Sequence, residues 1–153
     1  MVDFDDKLFF APMTGEVLDI TECVDPIFSK SIVGAGVLMV PSDSKVYAPC
    51  SGKVTIVANG KHGMAIKNPS GLQVLIHIGI DTVDMDGEGF KTYKKVGDEV
   101  KVGDLLLEFD LDKIKSCGKN IQSPVVITNP VIKKVDVLKS GFVNFGDELF
   151  RIK

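Results

Sequence analysis

Residues 72–80 alternate between two kinds of side chain, and this pattern limits the possible fold more than any other in the sequence. The apolar members of the pattern are Leu72, Val74, Ile76, Ile78 and Ile80. The intervening and following positions are Gln73, Leu75, His77, Gly79 and Asp81. Successive residues of a β-strand point to opposite faces, so the apolar set predicts a strand with one face in the core. The other face would then present a histidine between an apolar side chain and a carboxylate.

A turn signal precedes this strand. Asn68-Pro69-Ser70-Gly71 has asparagine first, proline second and glycine fourth, and another apolar run lies before it. Two strands joined in this way form a hairpin. If Asn68 pairs with Gly71, counting back along both strands places Met64 opposite Leu75 and His62 opposite His77. Directly opposed residues have Cβ atoms about 4.5–5.5 Å apart. The only two histidines of the chain are therefore predicted to face each other.

Repeated turn motifs elsewhere predict many short strands. Ala-Pro-x-[Ser/Thr]-Gly-x-Val occurs at residues 11–17 and again at 48–54, and Gly-Asp recurs at 97–98, 103–104 and 146–147. Short helices are predicted at 24–30, capped by Asp25, and at 110–118, capped by Asp110 and ended by Gly118. We therefore expect residues 1–153 to form one all-β domain, an antiparallel β-sandwich or barrel of two similar motifs with one or two short helices.

Composition excludes several classes of function. Eighteen basic and 21 acidic residues give a net charge of −3, which argues against nucleic acid as a partner. The three cysteines are an odd number without metal-type spacing, and the acidic N-terminus lacks an apolar signal core. No apolar run approaches the roughly 18 residues of a membrane span. These features predict a cytoplasmic location.

Two opposed histidines are compatible with three chemistries. A closed zinc site needs four ligands, so His62 and His77 would need a ligand from a partner, and no metal is required. Nucleophilic hydrolysis needs a Ser or Cys held against a histidine, and no Gly-x-Ser-x-Gly elbow is present. In phosphoryl transfer, one neutral imidazole attacks phosphorus and the second steadies a phosphate oxygen. Gly79 would leave room for the phosphate and offer it backbone amides. No nucleotide loop or other cofactor motif accompanies the histidines.

The residues around His77 closely resemble the glucose-type IIA component of the bacterial phosphoenolpyruvate–sugar phosphotransferase system. The most specific segment is Leu75-Ile-His77-Ile-Gly79-Ile-Asp81-Thr-Val83, followed by Gly87-Glu-Gly-Phe90. Further matching segments are Ala11-Pro-x-x-Gly15, Ile32-Val-Gly-x-Gly36, Ala48-Pro-x-x-Gly52, Val102-Gly-Asp104, Glu108-Phe-Asp-Leu111 and Ser123-Pro-Val-Val-Ile127. The resemblance implies a β-sandwich of duplicated hybrid motifs.

The resemblance also implies a mechanism. His77 would accept phosphate through its Nε2 atom from the carrier protein HPr and pass it to a cysteine of the IIB component of a IIB/IIC sugar permease. His62 would steady the phosphate, and Asp81 would face an arginine of the partner. The unphosphorylated form would have a regulatory role, binding transporters or metabolic enzymes.

Two positions depart from the family pattern. Ala35 stands where family members often carry an acid, and Asn59-Gly60-Lys61 replaces a threonine often found before the accessory histidine. Docking is therefore expected to depend on Asp81 and Gly79 together with apolar contacts from Leu75, Val83 and Val37. The alternative is a biotinyl or lipoyl carrier domain, whose barrels share similar Ala-Pro-x-x-Gly and Val-Gly-Asp repeats. Such a carrier needs a lysine at a tight hairpin tip, and no lysine here has that context.

Overall fold

The computed structural model describes residues 5–152, which form short strands, two helices and two 3₁₀ turns. The first strands are β1 (Leu8–Phe10), β2 (Gly15–Asp19), β3 (Ala35–Pro41), β4 (Lys45–Tyr47), β5 (Gly52–Val57), β6 (Gly63–Lys67) and β7 (Gln73–His77). The later strands are β8 (Phe90–Thr92), β9 (Glu99–Val100), β10 (Leu105–Phe109), β11 (Ser123–Ile127), β12 (Val135–Val137), β13 (Gly141–Val143) and β14 (Glu148–Ile152). The helices are α1 (Pro26–Ser29) and α2 (Leu111–Ser116), and the 3₁₀ turns are Ile20–Glu22 and Thr82–Met85.

Three antiparallel sheets make up the fold. The large sheet has eight strands in the order β13-β2-β3-β11-β7-β6-β5-β9, and two three-stranded sheets have the orders β1-β14-β12 and β4-β10-β8. The main core contains Val74 and Ile76 of the large sheet together with Phe150 and Leu106 of the two small sheets. The small sheets therefore pack on one face of the large sheet, which confirms the predicted all-β sandwich. No helix within residues 5–152 is long and apolar enough to cross a membrane.

The two Ala-Pro motifs contact each other reciprocally. The Phe10 N–H donates to the Pro49 carbonyl at 2.9 Å, and the Tyr47 N–H donates to the Pro12 carbonyl at 2.7 Å. Each hydrogen bond joins the residue before one Ala-Pro pair to the proline of the other pair. The sequence repeat therefore has a structural counterpart, because equivalent positions of the two motifs make equivalent bonds across their junction.

The Gly-Asp pairs close three equivalent turns. In each turn the aspartate N–H donates to the carbonyl three residues earlier, and the aspartate carboxylate accepts from the N–H of that same residue. The pairs are Lys95 with Asp98, Lys101 with Asp104, and Asn144 with Asp147. The glycines of these turns have φ of 97°, 90° and 88°. Only glycine adopts such angles without strain, which explains why Gly-Asp recurs.

The β6–β7 hairpin is real, but its predicted register is wrong by one residue. Gly63, not His62, pairs with His77, and Met64 pairs with Ile76. The Asn68 N–H donates to the Leu72 carbonyl at 2.9 Å, so the loop has three residues and ends at a Gly71 with φ of 90°. A three-residue loop ending in a left-handed glycine is a common hairpin connection, and its extra residue shifts all partners.

A second, smaller core lies on the opposite face of the large sheet. Phe28 of α1 and Ile20 of the first 3₁₀ turn pack there against Leu38, Val126 and Ile80. The alternating apolar set is thus divided: Val74, Ile76 and Ile78 belong to the main core, Leu72 packs against it, and Ile80 joins the second core. Both predicted helices form with their predicted aspartate caps.

Candidate functional site

His77 is the last residue of β7, and the second core borders its ring. Its half-buried imidazole places Nδ1 2.7 Å from the Gly79 carbonyl oxygen. A carbonyl oxygen can only accept, so this contact requires the hydrogen on Nδ1 and leaves the lone pair on Nε2. The backbone turn after the strand therefore selects one tautomer of the neutral ring and leaves Nε2 as the nitrogen with a free lone pair.

His62 lies beside His77 although the two are not paired in the sheet. Their ring centroids are 5.0 Å apart and the rings meet edge to face at 76°. His77 is paired with Gly63, which has no side chain, and the adjoining His62 reaches the space in front of His77. The His62 ring is buried, with its residue only 7% exposed, and also packs against Phe90. The predicted proximity is confirmed, but in an edge-to-face arrangement.

The environment favours the neutral form of both rings. Burial lowers the pKa of His77, and the neighbouring His62 lowers it further, while the Gly79 carbonyl partly opposes the change. Burial also lowers the pKa of His62, whose buried Nδ1 lies beside the Gly60 backbone with no well-formed hydrogen bond to the described residues. A neutral imidazole is the form that can attack an electrophile, so the site favours nucleophilic chemistry at ordinary pH.

Gly79 has a different function from the one predicted. Its N–H donates to Ser123 Oγ at 3.2 Å, so the expectation that this amide is offered to a phosphate is wrong. The need for glycine comes from the backbone, because φ is 74° and a Cβ here would lie 2.4 Å from Thr82 Cγ2. Gly79 thus acts through its carbonyl, which orients His77, rather than through its N–H.

The predicted docking residues divide into surface and core. Val83 is 53% exposed, Leu75 is half-buried, and Asp81 is exposed with a left-handed backbone and no side-chain capping bond. The prediction that Val37 lines the docking surface is wrong, because this residue is only 1% exposed and lies in the main core. Alternation along β3 places Val37 and Ala35 on the same face of the strand, and both lie in the main core.

Sequence reasoning missed the contribution of α1. The centroid of the Phe28 ring lies 5.4 Å from that of the His77 ring. Burial lowers the pKa of His77, and the negative charge of Asp25 partly opposes that change. Around α1, Val24, Ile27 and Ile32 are exposed by 59%, 44% and 68%. The signal available in the sequence was the presence of apolar residues in and just after the short predicted helix at 24–30. We define the docking rim as Val24, Ile27, Ile32, Leu75 and Val83, with Asp25 and Asp81 as its acids.

The donor set at the histidines does not complete a metal site. Within residues 5–152 no group of three or more His, Cys, Asp or Glu side chains is placed to hold a metal ion. A marked surface groove lies elsewhere, lined in part by Lys53, Lys67 and Val100 and by neither histidine.

Comparison with known proteins identifies the class to which this fold and site belong. Residues 7–131 match the family model of the phosphoenolpyruvate-dependent sugar phosphotransferase system, EIIA 1. The chain is therefore a component of that phosphotransferase system, with a phosphoryl-carrier role in sugar uptake.

Solved structures narrow the assignment. The glucose permease IIA from Mycoplasma capricolum is 33% identical, with a TM-score of 0.91 and full coverage of both chains. This chain belongs to the glucose-type EIIA family. The M23 metalloprotease pseudoalterin, from the deep sea, is 12% identical with a TM-score of 0.45, covering all of this chain and 97% of its own. No inference about this chain follows from that weaker match.

Proposed function

We propose that this chain, acting as one IIA phosphocarrier domain in the cytoplasm, accepts a phosphoryl group from phospho-HPr on Nε2 of His77. It then passes the group to a cysteine of a IIB component. The observation that carries the proposal is the 2.7 Å contact between His77 Nδ1 and the Gly79 carbonyl. That contact keeps the Nε2 lone pair available, and the lowered pKa of His77 keeps it unprotonated.

Each transfer exchanges one bond to phosphorus for another. In acceptance, the Nε2 lone pair of His77 attacks phosphorus while the bond from phosphorus to the HPr histidine breaks. In donation, a IIB cysteine thiolate attacks and the bond to Nε2 breaks, returning the neutral ring. The hydrogen stays on Nδ1, where it is donated to the Gly79 carbonyl throughout, so no proton transfer has to accompany either step.

His62 is proposed to stabilise the phosphoryl group. Its ring centroid is 5.0 Å from that of His77, close enough for a hydrogen bond to an oxygen of a phosphate on Nε2. Such a bond stabilises negative charge as it develops during transfer. Because His62 is nearly buried and packed against Phe90, its ring is already oriented before the phosphate arrives.

The docking rim is the proposed contact surface for HPr and for the IIB/IIC permease. Its exposed apolar side chains would exclude water from the transfer site, and Asp25 and Asp81 would attract basic groups of a partner. Phosphorylation adds about −1.5 to −2 charges at the centre of this surface. That change would weaken apolar docking, which supports a regulatory role in which the unphosphorylated form binds transporters or metabolic enzymes.

The test combines phosphoenolpyruvate, enzyme I, HPr and this protein, with intact mass as the readout. Wild type should gain an acid-labile phosphoryl adduct, and His77→Ala should not. His62→Ala, the matched control with the other imidazole removed, should accept phosphate but transfer it slowly to IIB. An adduct that persists in His77→Ala would contradict the site assignment. The biotinyl or lipoyl alternative predicts modification of a lysine instead, which peptide mapping would reveal.

A further inference from the structure

Two buried hydroxyls hold the backbone turn that orients His77. Ser123 and Thr82 are both fully buried polar side chains. They bond to the same peptide group, the one that joins Ile78 to Gly79. The Gly79 N–H donates to Ser123 Oγ at 3.2 Å, and Thr82 Oγ1 donates to the Ile78 carbonyl at 2.6 Å. The two ends of this one peptide group are therefore each held by a side chain.

The next peptide group is held in the same way. The Gly79 carbonyl accepts from His77 Nδ1 at 2.7 Å, and the Ile80 N–H donates to the Asn120 carbonyl at 2.9 Å. Hydrogen bonds at both ends of an amide polarise it and strengthen its carbonyl as an acceptor. The acceptor that His77 uses is thus part of a hydrogen-bonded chain that continues into the segment before β11.

Ser123 is itself fixed in orientation. Its Oγ donates to the Ile121 carbonyl at 2.9 Å, so its single hydrogen is used and a lone pair remains to accept from Gly79. Thr82 Cγ2 lies only 2.4 Å from where a Cβ on residue 79 would be, so the turn packs closely against the 3₁₀ segment that follows. Both residues act on the peptide next to the carbonyl that contacts the ring, and their hydroxyls form these hydrogen bonds with backbone groups.

We infer that Ser123 and Thr82 are positioning residues that hold His77 in the Nδ1–H tautomer. By clamping the Ile78–Gly79 peptide, they fix the left-handed φ of 74° at Gly79 and so aim the following carbonyl at Nδ1. If the clamp is lost, the carbonyl turns away and the ring also populates the Nε2–H tautomer, which has no lone pair at the attacking nitrogen. The link to reaction rate rests on the proposed function, whereas the tautomer is a property of the free protein.

The test is ¹⁵N NMR of the His77 ring in the unphosphorylated protein, with Ser123→Ala and Thr82→Val as variants. Thr55→Val is the matched control, because its half-buried hydroxyl bonds to Gln73 at 2.8 Å, outside the clamp. Wild type and the control should show only the Nδ1–H tautomer. The two clamp variants should show both tautomers, and their kcat for phosphoryl acceptance should fall roughly tenfold with KM for phospho-HPr unchanged.

A pure Nδ1–H tautomer in both folded variants would overturn the inference. If either variant fails to fold, hydrogen exchange of the Gly79 amide in wild type decides instead. Donation to a buried hydroxyl predicts slow exchange, and exchange at the rate of an exposed amide would overturn the clamp. If the tautomer shifts as expected but wild type accepts no phosphate, then the proposed function fails and the positioning of His77 stands.

Discussion

Replacing Gly79 by alanine tests the turn at the site because the chain offers a matched control. Gly79 and Gly71 both have positive φ, 74° and 90°. A Cβ on Gly71 would meet nothing within 4 Å, whereas a Cβ on Gly79 would lie 2.4 Å from Thr82 Cγ2 and 3.1 Å from the Asn120 carbonyl. Gly71→Ala should therefore lower the free energy of unfolding only through its left-handed backbone. Gly79→Ala should lower it through the same backbone effect and through a steric clash as well.

The magnitudes follow from these two contributions. A left-handed backbone at an alanine costs about 1–2 kcal/mol, which is the whole expected loss for Gly71→Ala. Overpacking a buried site adds about 1–3 kcal/mol, so Gly79→Ala should lower the free energy of unfolding by roughly 2–5 kcal/mol. Thr82→Ser removes Cγ2 but keeps the hydroxyl, so in the double variant it should recover about 1–2 kcal/mol of that loss.

Urea unfolding of the two single glycine variants, Thr82→Ser and the double variant gives all the required free energies. The coupling between positions 79 and 82 is the difference between the double variant and the sum of its two single changes. Equal losses for Gly79→Ala and Gly71→Ala, within about 0.5 kcal/mol, together with additive double-variant data would refute the steric account.

Four further outcomes are expected. Because burial lowers the pKa of His77, phosphoryl acceptance should stay constant as pH falls through 6.5, the ordinary histidine value, and decline only below it. The same lowered pKa means that the unfolded chain binds protons more readily, so urea-unfolding stability should fall as pH drops below 6.5. Val83→Asp should raise KM for phospho-HPr while the melting temperature is kept, whereas Val37→Asp should unfold the protein, as circular dichroism would show. Asp110→Ala removes the cap that accepts from the Lys113 N–H and should cost about 1 kcal/mol in urea unfolding without slowing phosphoryl acceptance.

The parts of the fold that sequence predicted are those set by short-range rules. The caps Asp25 and Asp110 act within three residues, and the alternation before His77 reports directly on a strand with one buried face. The proximity of His62 and His77 also followed, because a hairpin relates its two strands through one short loop. These features need no knowledge of distant parts of the chain.

The errors come from choices that local sequence leaves open. Asn68-Pro69-Ser70-Gly71 is compatible with two- and three-residue loops, and only the left-handed Gly71 shows which one forms. Val37 lies in a strand that is buried on both faces, since the next residue, Leu38, packs in the second core. The apolar pattern of such a strand does not indicate which face the Val37 side chain is on. Ser123 contacts the His77 turn from 44 residues away, which no sequence period encodes, and Thr82 bonds to a carbonyl only four residues earlier but in an irregular turn.

The pairing of β1 with β14 has a consequence for biosynthesis. Leu8 is opposite Arg151, and the Phe9 and Phe150 rings pack with centroids 5.4 Å apart in the main core. During translation β1 leaves the ribosome before the strands β2 to β13, and its partner β14 emerges only after them. Phe9 therefore lacks its aromatic neighbour while the strands from β2 to β13 are made, and closure of the sandwich has to follow the emergence of β14. A nascent chain stalled before β14 should remain open to chaperones and proteases even though the strands that carry both histidines have already emerged.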